Sequence, residues 1–284
     1  MRALSVLTVA LVLAATTAGC STDGYDGTEL TSSATGEDYR APVWVGDTLY
    51  YLQEPVDSDS SPYPMRIRPG GRPEPVGFTG KPCRSGRTQW PFDLLPLGEH
   101  TVGVLSSCAD ERPTLTRIDE GGPQEDAARE PGAGFTVEPC GMRPVDAPEA
   151  GCVGGPGVRH PVTAPGGDTY YFAPRCGDDA AKAGTYSVCR LDGSGGATTA
   201  GTGVGRTMGL DARANRVVVA GTVNGEEAGL WLLDGGRFTR LATGDFADAG
   251  ISADGSRVVS VLTRKSGWWS ETTYSLRVVA IPDR

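Results

Sequence analysis

Apolar positions in this chain come in short runs bounded by glycine or a polar turn, and no stretch shows the spacing of an amphipathic helix. Five runs open after such a turn: GDTLYY (46–51), GEHTVGV (98–104), GDTYYF (167–172), ANRVVVA (214–220) and GSRVVSV (255–261). Each is followed by a second run that ends in another turn: MRIRPGG (65–71), LTRIDEGG (115–122), VCRLDGSGG (188–196), LWLLDGG (230–236) and LRVVAIPD (276–283). Paired β-rich runs with Gly/Asp turns are hairpin signals. The last two copies align residue by residue: Gly209 with Gly250, Leu210 with Ile251, Ala212 with Ala253, and Arg216-Val217-Val218 with Arg257-Val258-Val259. The first runs are spaced 52, 69, 47 and 41 residues apart, close to the length of a propeller blade.

A lone hairpin unit cannot bury its apolar face, whereas units stacked radially bury both faces and hide most edges. The sequence therefore predicts an all-β chain: a β-propeller of five four-stranded blades, with a β-sandwich as the alternative. The long step before residue 167 leaves room for a sixth, degenerate unit around Phe135-Thr136-Val137. The chain ends soon after the run 276–281, so the last blade needs an outer strand, which residues near Tyr25 to Leu30 could supply. Those residues lie within STDGYDGTELTSSATGED (21–38), which has no Lys or Arg and few apolar side chains. The preferred reading of 20–38 is an acidic flexible tether, leaving 39–284 as the propeller domain.

The stretch Ile251-Ser252-Ala253-Asp254-Gly255-Ser256-Arg257-Val258-Val259 resembles the TolB-type or WD40-like propeller repeat. The resemblance is good over 205–284 and weaker over 40–200, and the Trp-Asp dipeptide is missing from every unit. It implies a docking platform in the cell envelope and names no ligand.

The N-terminus changes where such a platform would sit. Met1-Arg2 precedes the apolar run Ala3 to Ala15, which is too short to span a bilayer and reads as a secretory signal. Thr17-Ala18-Gly19-Cys20 resembles a bacterial lipoprotein lipobox, with Thr17 where that pattern has Leu. The resemblance implies that residues 1–19 are a signal peptide and that Cys20 becomes a lipidated N-terminus carrying palmitate-type chains. Two or more acyl chains give stable anchoring. The expected location is the extracytoplasmic face of the cell membrane, held through the lipid on Cys20.

Six further cysteines, Cys83, Cys108, Cys140, Cys152, Cys176 and Cys189, suit three disulfides in an exported chain; spacing alone allows 15 connectivities. Neighbour pairing closes the shortest loops, with Cys176 and Cys189 facing each other across a hairpin and Cys140–Cys152 stapling an insertion without strand signals. All six fall where the repeats are most diverged, so the bridges are expected to compensate for weaker packing. None has the C-x-x-C spacing of a redox or zinc motif.

The net charge of −9, −10 once Arg2 has gone with the signal, argues against nucleic acid. No nucleophile elbow, zinc-protease or phosphate-loop motif is present. Gly201-Thr202-Gly203-Val204-Gly205 lacks the last glycine of a dinucleotide fingerprint and is read as a linker between blades. His100 and His160 lie in different units and are read as structural. Asp57 with Asp59, and Asp178 with Asp179, lack the ligand spacing of a calcium loop. Trp231 and its neighbours read as core, whereas the adjacent Trp268 and Trp269 are candidates for an interaction surface. No catalytic residue, metal or cofactor is assigned. The leading expectation is a non-enzymatic binding module for an envelope or extracellular protein or small ligand; a purely structural envelope protein is hard to separate from it. The alternative is a hydrolase or lyase whose carboxylates, gathered from separate blades, converge on the channel.

Overall fold

The structure, a computed structural model, describes residues 26–34, 36–55, 60–109, 111, 113–119, 122–124, 134–144, 147, 149–266 and 271–283. Every regular element among them is a strand. The signal peptide, Cys20, Asp57, Asp59, Trp268 and Trp269 lie outside the described residues.

In chain order, β1 (Thr28–Ser32) is set aside for the last sheet. The first unit is β2 (Asp38–Val45), β3 (Thr48–Glu54), β4 (Tyr63–Ile67) and β5 (Glu74–Pro75). The second is β6 (Trp90–Pro96), β7 (Val102–Ser107), β8 (Thr114–Asp119) and β9 (Gly122–Gln124). A separate hairpin follows, β10 (Phe135–Glu138) with β11 (Gly141–Pro144). The third unit comprises β12 (Arg159–Thr163), β13 (Thr169–Ala173) and, beyond the short hairpin β14 (Arg175–Cys176) and β15 (Asp179–Ala180), β16 (Tyr186–Leu191). The 17-residue β17 (Ala197–Arg213) completes the third unit with its first half and opens the fourth with its second. It turns over at Val204, which pairs with Tyr186 on one side and Val223 on the other. β18 (Arg216–Val223), β19 (Gly229–Asp234) and β20 (Arg237–Thr243) finish the fourth. β21 (Phe246–Ile251), β22 (Arg257–Ser266) and β23 (Glu271–Ala280) form the fifth, and β1 is its outer strand.

Two expectations are corrected here. Residues 28–32 are not tether: β1 pairs antiparallel with β23, Glu29 opposite Arg277. The segment around Phe135-Thr136-Val137 is a two-stranded hairpin and not a sixth blade. The five first runs of the sequence fall on β3, β7, β13, β18 and β22, and the five second runs on β4, β8, β16, β19 and β23.

The packing follows from the two-residue period of a strand. In β18, Val217, Val219 and Val223 join the core shared with the third unit, and Val218 and Ala220 the core shared with the fifth. In β22, Val258 and Leu262 face the fourth unit while Val259 and Val261 face the first. In β3, Leu49 and Tyr51 look toward the fifth unit and Tyr50 and Leu52 toward the second. Units three, four, five, one and two thus stack in that order through four apolar cores, an all-β propeller arrangement and not two facing sheets.

Beyond the third unit, Tyr171, Ala173, Cys176 and Cys189 pack with Met142 and Phe135 of the β10–β11 hairpin. The three disulfides are Cys83–Cys108, Cys140–Cys152 and Cys176–Cys189, with Cα separations of 5.8, 5.8 and 5.3 Å. All belong to the second unit, the hairpin or the third unit. Cys176 and Cys189 are not cross-strand partners, because Cys189 sits opposite Tyr171 and Cys176 lies on the small β14–β15 hairpin. Met142 to Pro144, the start of the stretch expected to be irregular, belong to strand β11.

Candidate functional site

The strands that open the five units, β2, β6, β12, the second half of β17, and β21, line one central cavity of about 730 Å³. Each is kinked by a shift in pairing register: at Ala41-Pro42, Phe92, His160-Pro161, Met208 and Asp248-Ala249. A bulge bends a strand and re-aims its side chains. Three of these kinks hold a non-glycine residue in the left-handed region: Ala41 at φ 48°, His160 at 46° and Asp248 at 53°. Ala41 and His160 also precede proline, which restricts them further. Such conformations cost free energy and cluster at functional sites.

Three aspartates enter the cavity from three different strands, Asp93 on β6, Asp211 on β17 and Asp248 on β21. They lie deep in the protein but keep partial solvent access through the cavity. Asp211 is fully engaged: one oxygen accepts the Ala212 N–H (2.8 Å) and the other the Ile251 N–H of β21 (2.6 Å), tying unit four to unit five. Asp248 ties unit five to unit one, its Oδ2 accepting the Ala41 N–H at 2.9 Å. Asp93 also lines the cavity, and among the described residues its carboxyl accepts a single hydrogen bond, from the N–H of its neighbour Leu94 (2.9 Å).

Burial raises all three carboxyls. Asp93 is pushed up to about 7 by desolvation and then by the charges of Asp248 and Asp211, against the single Leu94 N–H. Asp211 reaches about 6, held lower by its two backbone donors and Arg213. Asp248 is raised by burial, opposed by the Ala41 N–H and His160. His160 projects into the cavity, where burial lowers its basicity against the attraction of Asp248 and a hydrogen bond to the Thr207 backbone. Its ring meets Phe172 edge-on at 5.9 Å.

The cavity's cations are committed elsewhere. Arg40 pairs with Asp38 (3.0 Å) and Glu54 (2.5 Å), and Arg213 donates to the Trp44 carbonyl at 2.7 Å. Exposed Phe92 adds an apolar wall.

The residues singled out in the sequence fare differently. His160 reaches the cavity; His100 sits exposed in the β6–β7 turn, away from the cavity lining. Trp231 is core, its Nε1 donating to the Gly221 carbonyl at 3.0 Å under the Arg240 guanidinium. Asp178 and Asp179 are exposed, and Asp179 accepts the Thr199 hydroxyl. The glycine-rich 201–205 lies inside β17, where the strand passes from one unit to the next. Among the described residues, two sulfur–carboxylate groupings come together, Cys83, Cys108, Glu111 and Glu138, Cys140, Cys152, and in both the sulfurs are disulfide-bonded. The sequence reading missed Asp93, Asp211 and Asp248. A signal existed in the repeated Arg40-Ala41-Pro42-Val43 and Arg159-His160-Pro161-Val162, each followed by Gly-Asp-Thr, which marks the strand before each first run as part of the unit.

No protein-family model and no curated protein matches the sequence. Solved structures do. TolB from Acinetobacter baumannii is 12% identical over 85% of this chain and 56% of its own, with a TM-score of 0.35, so the chain spans just over half of that protein. A β-xylosidase is 14% identical over 91% of this chain and 96% of its own, TM-score 0.45. A puromycin hydrolase is 15% identical over 88% and 52%, TM-score 0.43. The expectation that the chain is no enzyme is corrected at this point: the similar structures are mostly enzymes, and three titratable carboxyls occupy the channel mouthed by the inner strands. At these identities the likeness concerns architecture alone, and by its own strand order the chain is an all-β protein of five propeller-type units.

Proposed function

We propose that the chain is an exported hydrolase that acts on a small, uncharged, hydroxyl-rich substrate in the central channel, with Asp93 as the proton donor. The observation that carries this reading is Asp93 itself: a cavity-lining carboxyl, singly hydrogen-bonded among the described residues and protonated up to about pH 7. A general acid works best when its pKa lies near the working pH. The cavity volume is in the range of small-molecule sites. A charged substrate is disfavoured: the nearby arginines are engaged, and Asp211 and Asp248, the carboxyls a cation would meet, already accept backbone N–H groups. That argues for hydrolysis over a lyase reaction on an acidic sugar, which needs free cations.

In the proposed step, a water oxygen bonds to the substrate's reacting carbon as the bond from that carbon to the leaving oxygen breaks. Asp93 gives its proton to the leaving oxygen, and the proton lost by the water leaves through a base in the channel. Turnover of a panel of 4-nitrophenyl glycosides and 4-nitrophenyl acetate tests the reading. Asp93→Asn is expected to lower kcat by about 10²–10⁴-fold. Equal turnover by the wild-type and Asp93→Asn chains would contradict it.

The location is part of the same proposal. The apolar run 3–15 and Thr17–Cys20 support export and lipid anchoring at Cys20, and three disulfides suit an oxidising compartment. Labelled palmitate is expected in the wild-type chain and not in Cys20→Ala; label in both variants would rule out Cys20 as the attachment point.

A further inference from the structure

His160 and Asp248 carry more geometry than a structural pair needs. His160 stands on β12 in unit three and Asp248 on β21 in unit five, with β17 of unit four between them. Three features of the backbone hold them in place. Residue 160 is left-handed before Pro161, and its imidazole is fixed by the Thr207 backbone and by the edge of Phe172. Asp248 is left-handed at its own bulge, whose carbonyls at 247 and 248 both accept the fully buried Ser260 hydroxyl, at 3.0 and 2.6 Å. Its carboxylate is aimed by the Ala41 N–H, itself on a left-handed residue.

Between these two residues, β17 contributes Gly209. A Cβ there would lie 2.5 Å from the Asp248 Cα and 2.7 Å from its carbonyl carbon and nitrogen. Only glycine lets β21 come this close, so any side chain at 209 would displace the Asp248 backbone. Three inner strands that line the cavity are thus distorted where they carry Ala41, His160 and Asp248.

We infer that His160, held by the Thr207 backbone, is the channel's general base and that Asp248 supports it through its charge, with Asp93 as the acid. The inference rests on the hydrolase reading and deepens it. The imidazole takes the proton of the attacking water as that water's oxygen bonds to the substrate, and Asp93 protonates the departing oxygen. One proton is gained at His160 and one lost at Asp93, so exchange with solvent restores both groups without any other reactant. The charged groups that face His160 are Asp248 from β21 and Arg159 from its own strand. Those facing Asp248 are His160, Asp38 and Arg40, and Asp248 is in turn felt by Asp93 on β6.

The chain has only two histidines, so both imidazoles can be followed by NMR in the full chain with His100 as internal reference. The variants are Asp248→Asn and His160→Asn, because asparagine tolerates the left-handed backbone at both positions. Thermal melts confirm that each folds. In Asp248→Asn the His160 midpoint is expected to fall by about one pH unit, as loss of a neighbouring opposite charge requires, while His100 stays put. In His160→Asn, turnover of the 4-nitrophenyl panel is expected to fall by about 10²-fold or more and to lose the acidic limb of its pH profile. A His160 midpoint unmoved by Asp248→Asn overturns the pair, whatever the turnover. An acidic limb retained in His160→Asn overturns the base. If the wild-type chain turns over none of the panel while the midpoint shifts as expected, the hydrolase reading fails and the base assignment with it, but the pairing of the two residues stands.

Discussion

Asp93 and Asp211 hold their protons more tightly in the folded chain than an unfolded carboxyl does, near pH 7 and 6 against a usual value of 3.8. Between those limits the folded state binds more protons than the unfolded one, so stability falls as pH rises. Each group contributes a slope of up to about 1.4 kcal/mol per pH unit while it alone titrates. Denaturant titrations from pH 4 to 8 are expected to show this decline, and Asp93→Asn to flatten it between 4 and 7. A wild-type curve that is level or rising over that window would contradict the burial of these groups. Asp254 shows the opposite sign. Hydrogen bonds from the Ser252 and Ser256 hydroxyls and the Ser256 N–H hold it down to about 2, so its small contribution is present above pH 4 and disappears toward 2. The Asp254-Gly255 turn that carries the repeat resemblance is therefore a structural device, whereas Asp93 and Asp248 lie in segments with no recognisable motif.

At the level of elements, the last unit depends on β1. Arg277 of β23 is fully buried, and its guanidinium reaches the Asp26 and Gly27 carbonyls and the Glu29 carboxylate at 3.1 Å. Arg264 shares that carboxylate at 2.6 Å. Removing one partner of a buried ion pair leaves a charge stranded, at about 3–5 kcal/mol. Glu29→Ala is expected near the lower end, since Glu29 is 34% exposed, and the loss is read as a shift of the denaturation midpoint. Little change would mean that β1 is dispensable. This strand was hard to read because an outer strand packs little: four of the five residues in Thr28–Ser32 are exposed. The second and third strands of each unit are legible for the opposite reason. The second strands above all are buried on both faces, so Val217 to Ala220 or Tyr50 to Leu52 stand out as apolar runs. The inner strands of units one, two and three were missed because they border the channel and carry Pro42, Pro91 and Pro161 at or beside their bulges, which mimic the breakers of a loop.

Across the whole molecule, four neighbouring pairs of units share apolar cores, and the disulfides gather on the second unit, the β10–β11 hairpin and the third unit. Bridges placed there supply constraint where the repeats have diverged. Reduction is accordingly expected to raise amide exchange first in 83–108 and 134–191, with β18 and β22 unchanged; uniform loss of protection would mean that the bridges hold the whole molecule. The cysteine spacing already pointed to this division of labour. The site was not legible in the same way, because Asp93, Asp211 and Asp248 are 118 and 37 residues apart in sequence and meet only when their strands converge on one axis. That convergence is tested most directly by the titration of the Asp93 carboxyl, followed by carbon NMR with Asp93→Asn to assign the signal. A midpoint near 7 is expected. A midpoint near 4 would mean an ordinary solvated carboxylate, and the channel would hold no proton donor at neutral pH.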